Sequence, residues 1–534
     1  MSVSPRQSAG LALAAGIFAA LAFPPFGLLP GMAGYGLLLW LLSREADIPA
    51  RRAFFYGWLA GLGYFSVSVW WVTEAFLVEA EVHGWMAPFA LVFLAGGLAV
   101  FWGLACLVFA KASRGGWTRI FLFAAILSGF EWLRGHVLSG FPWNLPGETW
   151  ASGSAPSQIA SVIGAYGLSY VTIALGAAPA LWPEARTLKA RGGLVAMVGL
   201  VLACLYGWGT YRLAHAPGPS PTAPWVRLVQ ANIDQKDKWR PENLQVILKT
   251  YLALSAPSGA RKPDIIVWPE GALPAVIDDL LYPDSPFLSG LGKTLSPGQT
   301  LMMGTNRASP TLEGGYLYYN SLVALRRDLG APMEGFRVTG VYDKHQLVPF
   351  GEYLPLSPLV SKLGIRTLVH MPQDFTPGPT PAPLEPLGIP PVQPLICYEA
   401  LFPGLSGKVG ARPAWLLNIS NDAWFGATSG PWQHLNIAGY RALESGLPIA
   451  RATPTGVTTM IDALGRPGTR LGLGQMGVID AQLPPALPQT LYGRWGDLSL
   501  MLMILGSLLL ELALRLRGKT KGSDRELPIP SAAG

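Results

Sequence analysis

Three reactive side chains follow short apolar, β-branched segments in the second half of the sequence. They are Glu270 after residues 265–269, Lys344 after residues 341–343 and Cys397 after residues 394–396. Because α/β proteins collect catalytic groups where strands end in loops, we expect the three side chains to meet at one edge of a fold. A carboxylate, an ammonium and a thiol together can perform nucleophilic chemistry.

That chemistry gives each side chain a different task. The thiolate of Cys397 is the nucleophile, and a nearby cation favours it over the thiol. The carboxylate of Glu270 can take the thiol proton and later return it to a leaving group. The ammonium of Lys344, with a backbone N–H that follows the cysteine, can stabilise a tetrahedral oxyanion.

Each of these residues also has an ordinary interpretation. A single Glu or Lys is usually a solvated surface group, and a Cys after apolar residues is usually part of the core. A Cys–His pair is the rival arrangement, for which His345, His370 and His434 are available. His345 adjoins Lys344, and neither of the other two follows a comparable strand-like segment. No Cys/His cluster has metal-ligand spacing, so the sequence predicts no metal and suggests no other cofactor.

The composition places this chemistry in a membrane protein. Of the 534 residues, 50% are hydrophobic and 13% are charged, whereas a soluble domain usually has about a quarter charged. Long apolar segments fill the first part, and a mixed, Pro- and Gly-rich part follows. The predicted divisions are a helical membrane bundle of about seven spans at 1–216, a catalytic domain at 217–488, a final transmembrane helix at 489–517 and a polar tail at 518–534.

Eight segments are candidates for crossing a bilayer, which takes about 20 apolar residues. They are residues 8–23, 26–43, 53–73, 85–110, 117–135, 158–182, 193–213 and 497–516. Basic residues concentrate in the connections after the second, fourth, sixth and last segments. The positive-inside rule then predicts cytoplasmic termini and a periplasmic catalytic domain in a bacterial inner membrane. The net charge of +7 thus reflects topology, and no nucleic-acid partner is expected.

Polar and aromatic residues near the fifth span have two interpretations. Glu131 and Arg134 are spaced to pair on one helix face, either in a functional site or as an interfacial structural pair. Trp143 is typical of an interfacial anchor.

The catalytic part alternates strand-like and helix-like segments. Predicted strands are 225–233, 264–269, 300–305, 320–325, 340–342, 393–397 and 414–419, and predicted helices are 241–254 and 433–445. This pattern favours an α/β sandwich.

Seven segments together resemble the nitrilase superfamily and, more narrowly, its membrane-embedded apolipoprotein N-acyltransferase family. They are Pro-Pro-Phe-Gly at 24–27, Glu-Trp-Leu-Arg-Gly at 131–135, Gly-Phe-Pro-Trp-Asn at 140–144, Trp-Pro-Glu at 268–270, the segment 344–352, Cys-Tyr-Glu at 397–399 and Asn-Ile-Ser-Asn-Asp at 418–422. The resemblance covers nearly the whole chain. It implies a multi-pass α-helical membrane bundle joined to a nitrilase-like αββα sandwich.

The resemblance also implies roles for individual residues. It assigns Glu270 as general base, Lys344 as oxyanion stabiliser and Cys397 as nucleophile. Supporting or substrate-binding roles are implied for Trp239, Glu352, Tyr398 and Glu399. The two carboxylates are candidates to orient Lys344, and the two aromatic residues are candidates for lining a pocket or for core packing.

One position departs from the family pattern. The family usually has Asn where this chain has Pro454. Proline has neither an N–H nor an amide side chain, so the hydrogen bonding there is in doubt.

The reaction that the resemblance implies is the last step of bacterial lipoprotein maturation. A phospholipid, typically phosphatidylethanolamine, donates an acyl chain to Cys397, and the thioester then acylates the N-terminal diacylglyceryl-cysteine of an apolipoprotein. Holding the site at the bilayer brings two lipid-anchored substrates together. One alternative is a membrane-tethered nitrilase-type amide hydrolase, and another is a transporter with an extracytoplasmic binding domain. The sequence also predicts a mobile arm at residues 354–371, where apolar and basic residues interleave, that touches the membrane or gates the site. An ordinary packed surface helix is the alternative there.

Overall fold

The structure is a computed structural model, and it describes residues 4–45, 47–113, 115–218, 220–257, 262–355, 373–405 and 409–523. A helical bundle comes first, an α/β sandwich follows, and a long helix ends the described chain. This architecture confirms the predicted fold class. Residues 356–371 of the predicted arm lie outside the described residues.

The helices account for every predicted membrane segment. In chain order they are α1 Pro5–Leu21, α2 Ala33–Ser43, α3 Ala50–Ser68, α4 Val72–Leu77, α5 Ala80–His83, α6 Ala87–Ala112, α7 Arg119–His136, α8 Ala160–Ala177, α9 Leu188–Ala214, α10 Gln235–Lys238, α11 Leu244–Ser255, α12 Pro286–Thr294, α13 Gly430–Ser445, α14 Leu491–Trp495 and α15 Leu498–Ser523.

Within the described ranges, four helical segments are long and apolar enough to cross a membrane, judged by length and composition. They are Ala80–Ala112, Pro156–Leu181, Leu188–Ala214 and Leu498–Leu516. Helix α2 has 11 residues, about 16 Å at 1.5 Å per residue, which is roughly half the hydrocarbon thickness. The count of eight spans and the domain boundaries therefore stay predictions.

Small residues let the bundle helices approach closely. A Cβ on Gly16 of α1 would lie 1.7 Å from the carbonyl oxygen of Ala60 in α3. On the other side of α3, a Cβ on Gly61 would lie 2.8 Å from the Cα of Ala99 in α6. Small residues at such crossings are typical of membrane bundles, where close backbone packing replaces the hydrophobic effect as the driving force.

Eleven strands among the described residues form the sandwich. They are β1 Trp225–Gln230, β2 Ile265–Trp268, β3 Thr300–Pro310, β4 Tyr316–Arg327, β5 Phe336–Asp343, β6 Val392–Ile396, β7 Trp415–Ile419, β8 Ile449–Ala452, β9 Thr458–Ile461, β10 Pro467–Leu471 and β11 Gly477–Gln482. The seven predicted strands correspond to β1–β7. Strands β8–β11 were not predicted, and β3 and β4 are longer than predicted because they pair with each other along their whole lengths.

The strands make two sheets. One has six strands in the order β11-β1-β2-β3-β4-β5, and the other has five in the order β10-β9-β8-β7-β6. Strands β1–β3 are parallel, as are β6–β8. Alternate apolar side chains from both sheets meet in one core, in which Val267 of β2 and Ile419 of β7 are fully buried. The other face of each sheet packs on helices, which gives the αββα layering.

Helix α13 joins the sandwich to the bundle because its two faces differ. Its apolar face, with Leu435 and Ala438, packs against the five-stranded sheet. Its polar face hydrogen-bonds the connection between α7 and α8. The Asn436 amide donates to the carbonyl oxygen of Glu148 at 2.8 Å, and the Tyr440 hydroxyl lies 2.6 Å from the carbonyl oxygen of Trp150. Because side chains three or four positions apart share a helix face, one set of α13 side chains contacts the sheet and another set contacts the bundle.

Candidate active site

All three residues predicted to react lie just past strands. Glu270 lies two residues after β2, Lys344 directly follows β5, and Cys397 directly follows β6 and begins a 3-10 helix, Cys397–Leu401. Strands β2 and β5 belong to the six-stranded sheet and β6 to the five-stranded sheet. The two sheets therefore contribute different members of one group.

Two carboxylates share the ammonium of Lys344. Its Nζ lies 3.5 Å from Oε1 of Glu270 and 2.9 Å from Oε2 of Glu352. The side chain is 1% exposed. Burial disfavours the ammonium, but the carboxylates of Glu352 and then Glu270 outweigh burial and raise the pKa of Lys344. Lys344 is therefore positively charged at neutral pH, as an oxyanion stabiliser must be.

Hydrogen bonds hold Glu270 from two directions. Its Oε2 accepts from the backbone N–H of Asn421 at 2.6 Å, and its Oε1 accepts from the side-chain amide of Asn320 at 2.7 Å. The same amide donates to Oε1 of Glu352 at 2.7 Å. Asn320 therefore fixes both carboxylates relative to each other. A carboxylate oxygen has two lone pairs, so Glu270 retains the capacity to accept a proton.

The backbone of Cys397 has a constrained conformation. The residue is half-buried, and its φ of 47° lies in the left-handed region. Such a conformation costs a non-glycine residue about 1–3 kcal/mol and persists where the surroundings enforce it. Nε2 of His434 lies 3.2 Å from the Cys397 carbonyl oxygen, and Nδ1 of His434 lies 3.0 Å from Oδ1 of Asp422. These buried side chains hold the nucleophile through its main chain.

The thiol of Cys397 needs a base. Burial, and after it the carboxylate of Glu270, raises the pKa of the thiol, whereas Lys344 and a hydrogen bond with Ser420 lower it. The upward influences are stronger. Lys344 therefore acts on the pKa of the thiol in the expected direction, but burial and Glu270 outweigh it.

The rival Cys–His pair is not formed in the described part of the chain. His434 contacts the carbonyl oxygen of Cys397 and does not hydrogen-bond the thiol. Nδ1 of His345 lies 2.9 Å from the carbonyl oxygen of Gly378. Burial, followed by the charge of Arg451, lowers the pKa of His434. His370 lies outside the described residues.

Glu399 connects the two strand ends that carry the lysine and the cysteine. Its Oε1 accepts from the Tyr342 hydroxyl and from the backbone N–H of His345, both at 2.8 Å. Its Oε2 accepts from the backbone N–H of Ile396 at 2.8 Å. Glu399 therefore fixes the backbone next to Lys344 and next to Cys397. Of the two supporting carboxylates, it is Glu352 that contacts the ammonium of Lys344.

The two predicted aromatic residues lie on different sides of the group. The hydroxyl of Tyr398 donates to the carbonyl oxygen of Gly140 in the bundle, and its ring centroid lies 6.4 Å from that of Phe141. Trp239 is half-buried and directly follows α10. Nζ of Lys238 lies 5.8 Å from the centroid of the Trp239 ring.

One interpretation of the bundle residues needs correction. Trp143 is 2% exposed and donates from its indole N–H to Oε1 of Gln433 at 2.8 Å, so it joins bundle and sandwich and is not a membrane anchor. Its ring centroid lies 4.5 Å from that of Trp71. Glu131 and Arg134 form the predicted ion pair, and both side chains are fully buried.

Sequence reasoning missed three polar residues around Glu270. They are Lys238, Asn320 and Asn421. The sequence contains two signals for the asparagines. Asn320 begins a predicted apolar strand, and Asn421 lies in the motif 418–422. Their proximity to Glu270 depends on contacts between distant parts of the chain.

Pro454 replaces the expected Asn without losing the contact made by the main chain. Its carbonyl oxygen accepts from the backbone N–H of Asn232 at 2.8 Å. Because that bond needs only a carbonyl group, proline supplies it as well as any other residue.

Comparisons with known proteins cover both parts of the chain. The family described as "Apolipoprotein N-acyltransferase N-terminal domain" matches residues 15–178, and the family described as "Carbon-nitrogen hydrolase" matches residues 225–491. A Caulobacter vibrioides protein named apolipoprotein N-acyltransferase is 50% identical, over 97% of each chain. Proteins of the same name from Bradyrhizobium diazoefficiens and Allorhizobium ampelinum are 36% and 38% identical, over 95% and 92% of this chain and 94% and 92% of their own lengths.

Proposed function

This chain belongs to the apolipoprotein N-acyltransferase family, and we propose that it performs the family's reaction through a thioester on Cys397. The protein is an acyltransferase that acts on lipoproteins and membrane lipids. The observation that carries the covalent mechanism is the group formed by Glu270, Lys344 and Cys397, in which a base and a cation both interact electrostatically with the thiol.

In the first half-reaction, Glu270 takes the proton from the thiol of Cys397. The thiolate attacks the ester carbonyl carbon of a phospholipid, and a C–S bond forms. Lys344 stabilises the negative charge that develops on the carbonyl oxygen. The C–O bond to glycerol then breaks, Glu270 returns its proton to the glycerol oxygen, and a lysophospholipid leaves.

In the second half-reaction, the neutral α-amine of a diacylglyceryl-cysteine attacks the thioester carbon. A C–N bond forms while Glu270 takes a proton from the nitrogen. The C–S bond then breaks, and the proton passes to the sulfur of Cys397. One carboxylate thus serves both steps, and the resting thiol is restored.

The surroundings of Cys397 support a lipid substrate. Tyr398, the next residue, belongs to a buried apolar cluster with Trp71, Trp143 and Phe425. This cluster includes residues from the bundle and from the sandwich, so the nucleophile lies beside the junction of the two parts. A site at this junction suits an acyl chain that enters from a bilayer.

The proposed location is the bacterial inner membrane, with the sandwich in the periplasm and both termini in the cytoplasm. The support is the alternation of basic connections along the sequence. Reporter fusions after Lys111, after Ser255 and at Gly534 test it. A cytoplasmic signal at Ser255 would contradict the topology.

Intact-mass analysis tests the covalent mechanism. Incubation of the purified protein with phosphatidylethanolamine, the proposed donor, should add the mass of one acyl chain. Neutral hydroxylamine should remove it, because it cleaves thioesters and leaves amides intact. A diacylglyceryl peptide with a free N-terminus should clear the adduct and yield an N-acyl product, whereas the N-acetylated peptide should do neither.

The variant Cys397→Ala should give neither adduct nor product, and Cys204→Ala is the matched control. Product formation by Cys397→Ala would contradict the thioester and favour direct transfer between two bound lipids. Replacing phosphatidylethanolamine by other phospholipids in the same assay tests the identity of the donor. Release of free fatty acid or of ammonia from simple amides, without N-acyl product, would instead favour the amide hydrolase.

A further inference from the structure

A second lysine lies beside the proposed general base. Lys238 ends α10, and only 5% of its surface is exposed. Its Nζ lies 3.1 Å from the point that a Cβ on Gly271 would occupy, and Gly271 directly follows Glu270. The absence of a side chain at Gly271 therefore leaves room for this ammonium next to Glu270.

A buried contact orients α10 toward the site. Oε1 of Gln235, one turn before Lys238, accepts from the side-chain amide of Asn421 at 3.2 Å. Asn421 also donates its backbone N–H to Glu270. Gln235 and Lys238 are both buried and are spaced to lie on the same side of the helix.

The ammonium of Lys238 has no ionic partner in the described part of the chain. No carboxylate lies within 4.0 Å of it, and no hydrogen bond from it to the described residues is formed. Lys344 already pairs with both nearby carboxylates. Burial consequently lowers the pKa of Lys238 to about 8, although the charge of Glu270 acts in the opposite direction. The Lys238 ammonium lies 5.8 Å from the centroid of the Trp239 ring, and an anionic ligand would stabilise this largely buried cation further.

We propose that Lys238 binds the phosphodiester of the phospholipid donor. The inference rests on the function proposed above. In a glycerophospholipid, the phosphodiester and the two acyl esters are attached to the same three-carbon glycerol unit. A cation beside the base that protonates the departing glycerol oxygen is therefore within reach of that phosphodiester.

This subsite distinguishes the acyl esters of the donor from those of the acceptor. The donor and the lipoprotein acceptor both carry a diacylglyceryl group, so both present acyl esters to Cys397. Only the donor has a phosphodiester. Pairing with Lys238 favours the phospholipid ester over the acceptor's own esters, because an anion is needed to neutralise the buried ammonium.

The test compares two donors by the rate at which they acylate Cys397 in detergent micelles. One donor is phosphatidylethanolamine, and the other is p-nitrophenyl palmitate, which has no phosphate. Lys238→Met should lower the kcat/KM for phosphatidylethanolamine about ten- to a hundredfold, as expected for a charge-assisted hydrogen bond. Its rate with p-nitrophenyl palmitate should stay at the wild-type value. Lys236→Met, which alters an exposed lysine of the same helix, should leave both rates unchanged.

Equal losses with both donors would overturn the proposal, because Lys238 would then serve the chemistry or the fold. Unchanged rates with both would overturn it as well. Excess inorganic phosphate should leave the phosphatidylethanolamine reaction unaffected. Inhibition that disappears in Lys238→Met would assign the subsite to free phosphate instead of the lipid. Failure of the wild-type protein to form an adduct with either donor would identify the covalent mechanism itself as wrong.

Discussion

The bundle pair of Glu131 and Arg134 and the catalytic cluster of Glu270, Lys344 and Glu352 are both buried, but their charges are balanced differently. In the bundle pair, one carboxylate faces one guanidinium, and both side chains are 0% exposed. In the catalytic cluster, two carboxylates share one ammonium, and the carboxylates are 10% and 8% exposed. Both groups bury charged side chains. They differ in the number of carboxylates that share each positive charge.

Hydrogen bonds complete the bundle pair. The indole N–H of Trp102 donates to Oε1 of Glu131 at 2.6 Å, and Nε of Arg134 donates to Oε2 at 3.1 Å. Arg134 also donates to the carbonyl oxygen of Phe141. Because both charges are paired inside the protein, we expect this group to have a structural role, the fixing of the loop that follows α7.

The catalytic cluster keeps spare acceptor capacity. Among the described residues, no donor satisfies the side-chain carbonyl oxygen of Asn320. The second carboxylate, that of Glu352, shares the ammonium of Lys344 with Glu270 and also accepts from the Asn320 amide and the backbone N–H of Val348. The acceptors that remain available in this cluster can bind the protons and positive charges of a substrate, whereas a fully paired cluster could not.

One loop physically connects the two groups. Arg134 of the bundle pair contacts the carbonyl oxygen of Phe141, and Tyr398, the neighbour of the nucleophile, contacts that of Gly140. Consecutive peptide groups are thus held from opposite sides. The bundle therefore fixes a segment that in turn contacts the active site.

The largest effects are expected in the catalytic cluster. Glu270→Gln and Lys344→Met should each lower acylation of Cys397 by several powers of ten, since the base or the positive charge is lost. Glu270→Gln should leave the melting temperature unchanged or raise it, because a matched pair of Lys344 and Glu352 remains. Single-turnover mass analysis measures the acylation of each variant, and thermal melting measures its stability. The exposed Glu313→Gln is the control. Near-normal acylation would remove that residue from the mechanism.

The bundle pair should behave in the opposite way. Arg134→Met leaves the buried carboxylate of Glu131 without its cationic partner and should destabilise the protein by about 3–5 kcal/mol. The double variant with Glu131→Gln should recover part of that loss. Thermal melting in detergent measures both, and the fraction that remains folded should still acylate Cys397. Unchanged stability in Arg134→Met would mean that the pair contributes nothing to the fold.

A smaller effect is expected at the second carboxylate. Glu352→Gln weakens the charge-assisted contact with Lys344, so acylation should fall about ten- to a hundredfold without loss of the fold. The exposed Glu385→Gln is a matched control. A loss as severe as that of Glu270→Gln would indicate that Glu352, too, transfers protons.

The smallest effect concerns the connecting loop. Tyr398→Phe removes one hydrogen bond and should cost about 1 kcal/mol of stability. Because Tyr398 and Arg134 hold adjacent peptide groups, a double-mutant cycle with Arg134→Met should show coupling of about 0.5 kcal/mol or more. Strict additivity in thermal melting would show that the two groups are independent.

Much of the catalytic geometry was predictable because it is local. A polar residue that follows a β-branched segment lies at a strand end whatever the rest of the chain does, and Glu270, Lys344 and Cys397 all conform. The apolar segments predicted the helices of the bundle for the same reason. Strands β8–β11 were not predicted. In β10 the reason is visible, because it has largely exposed polar residues in place of an apolar alternation.

The amino-acid sequence by itself determined the two-part architecture and the three reactive residue types, since periodicity and strand-end chemistry are properties of neighbouring residues. Only the tertiary structure decided which polar groups surround them. The backbone N–H of Asn421 donates to Glu270, although 151 positions of sequence separate the two residues. Nζ of Lys238 lies beside Gly271, the residue that follows Glu270. Such contacts depend on how two sheets and a bundle pack, and the free energy of that packing comes from the whole chain, not from any one segment.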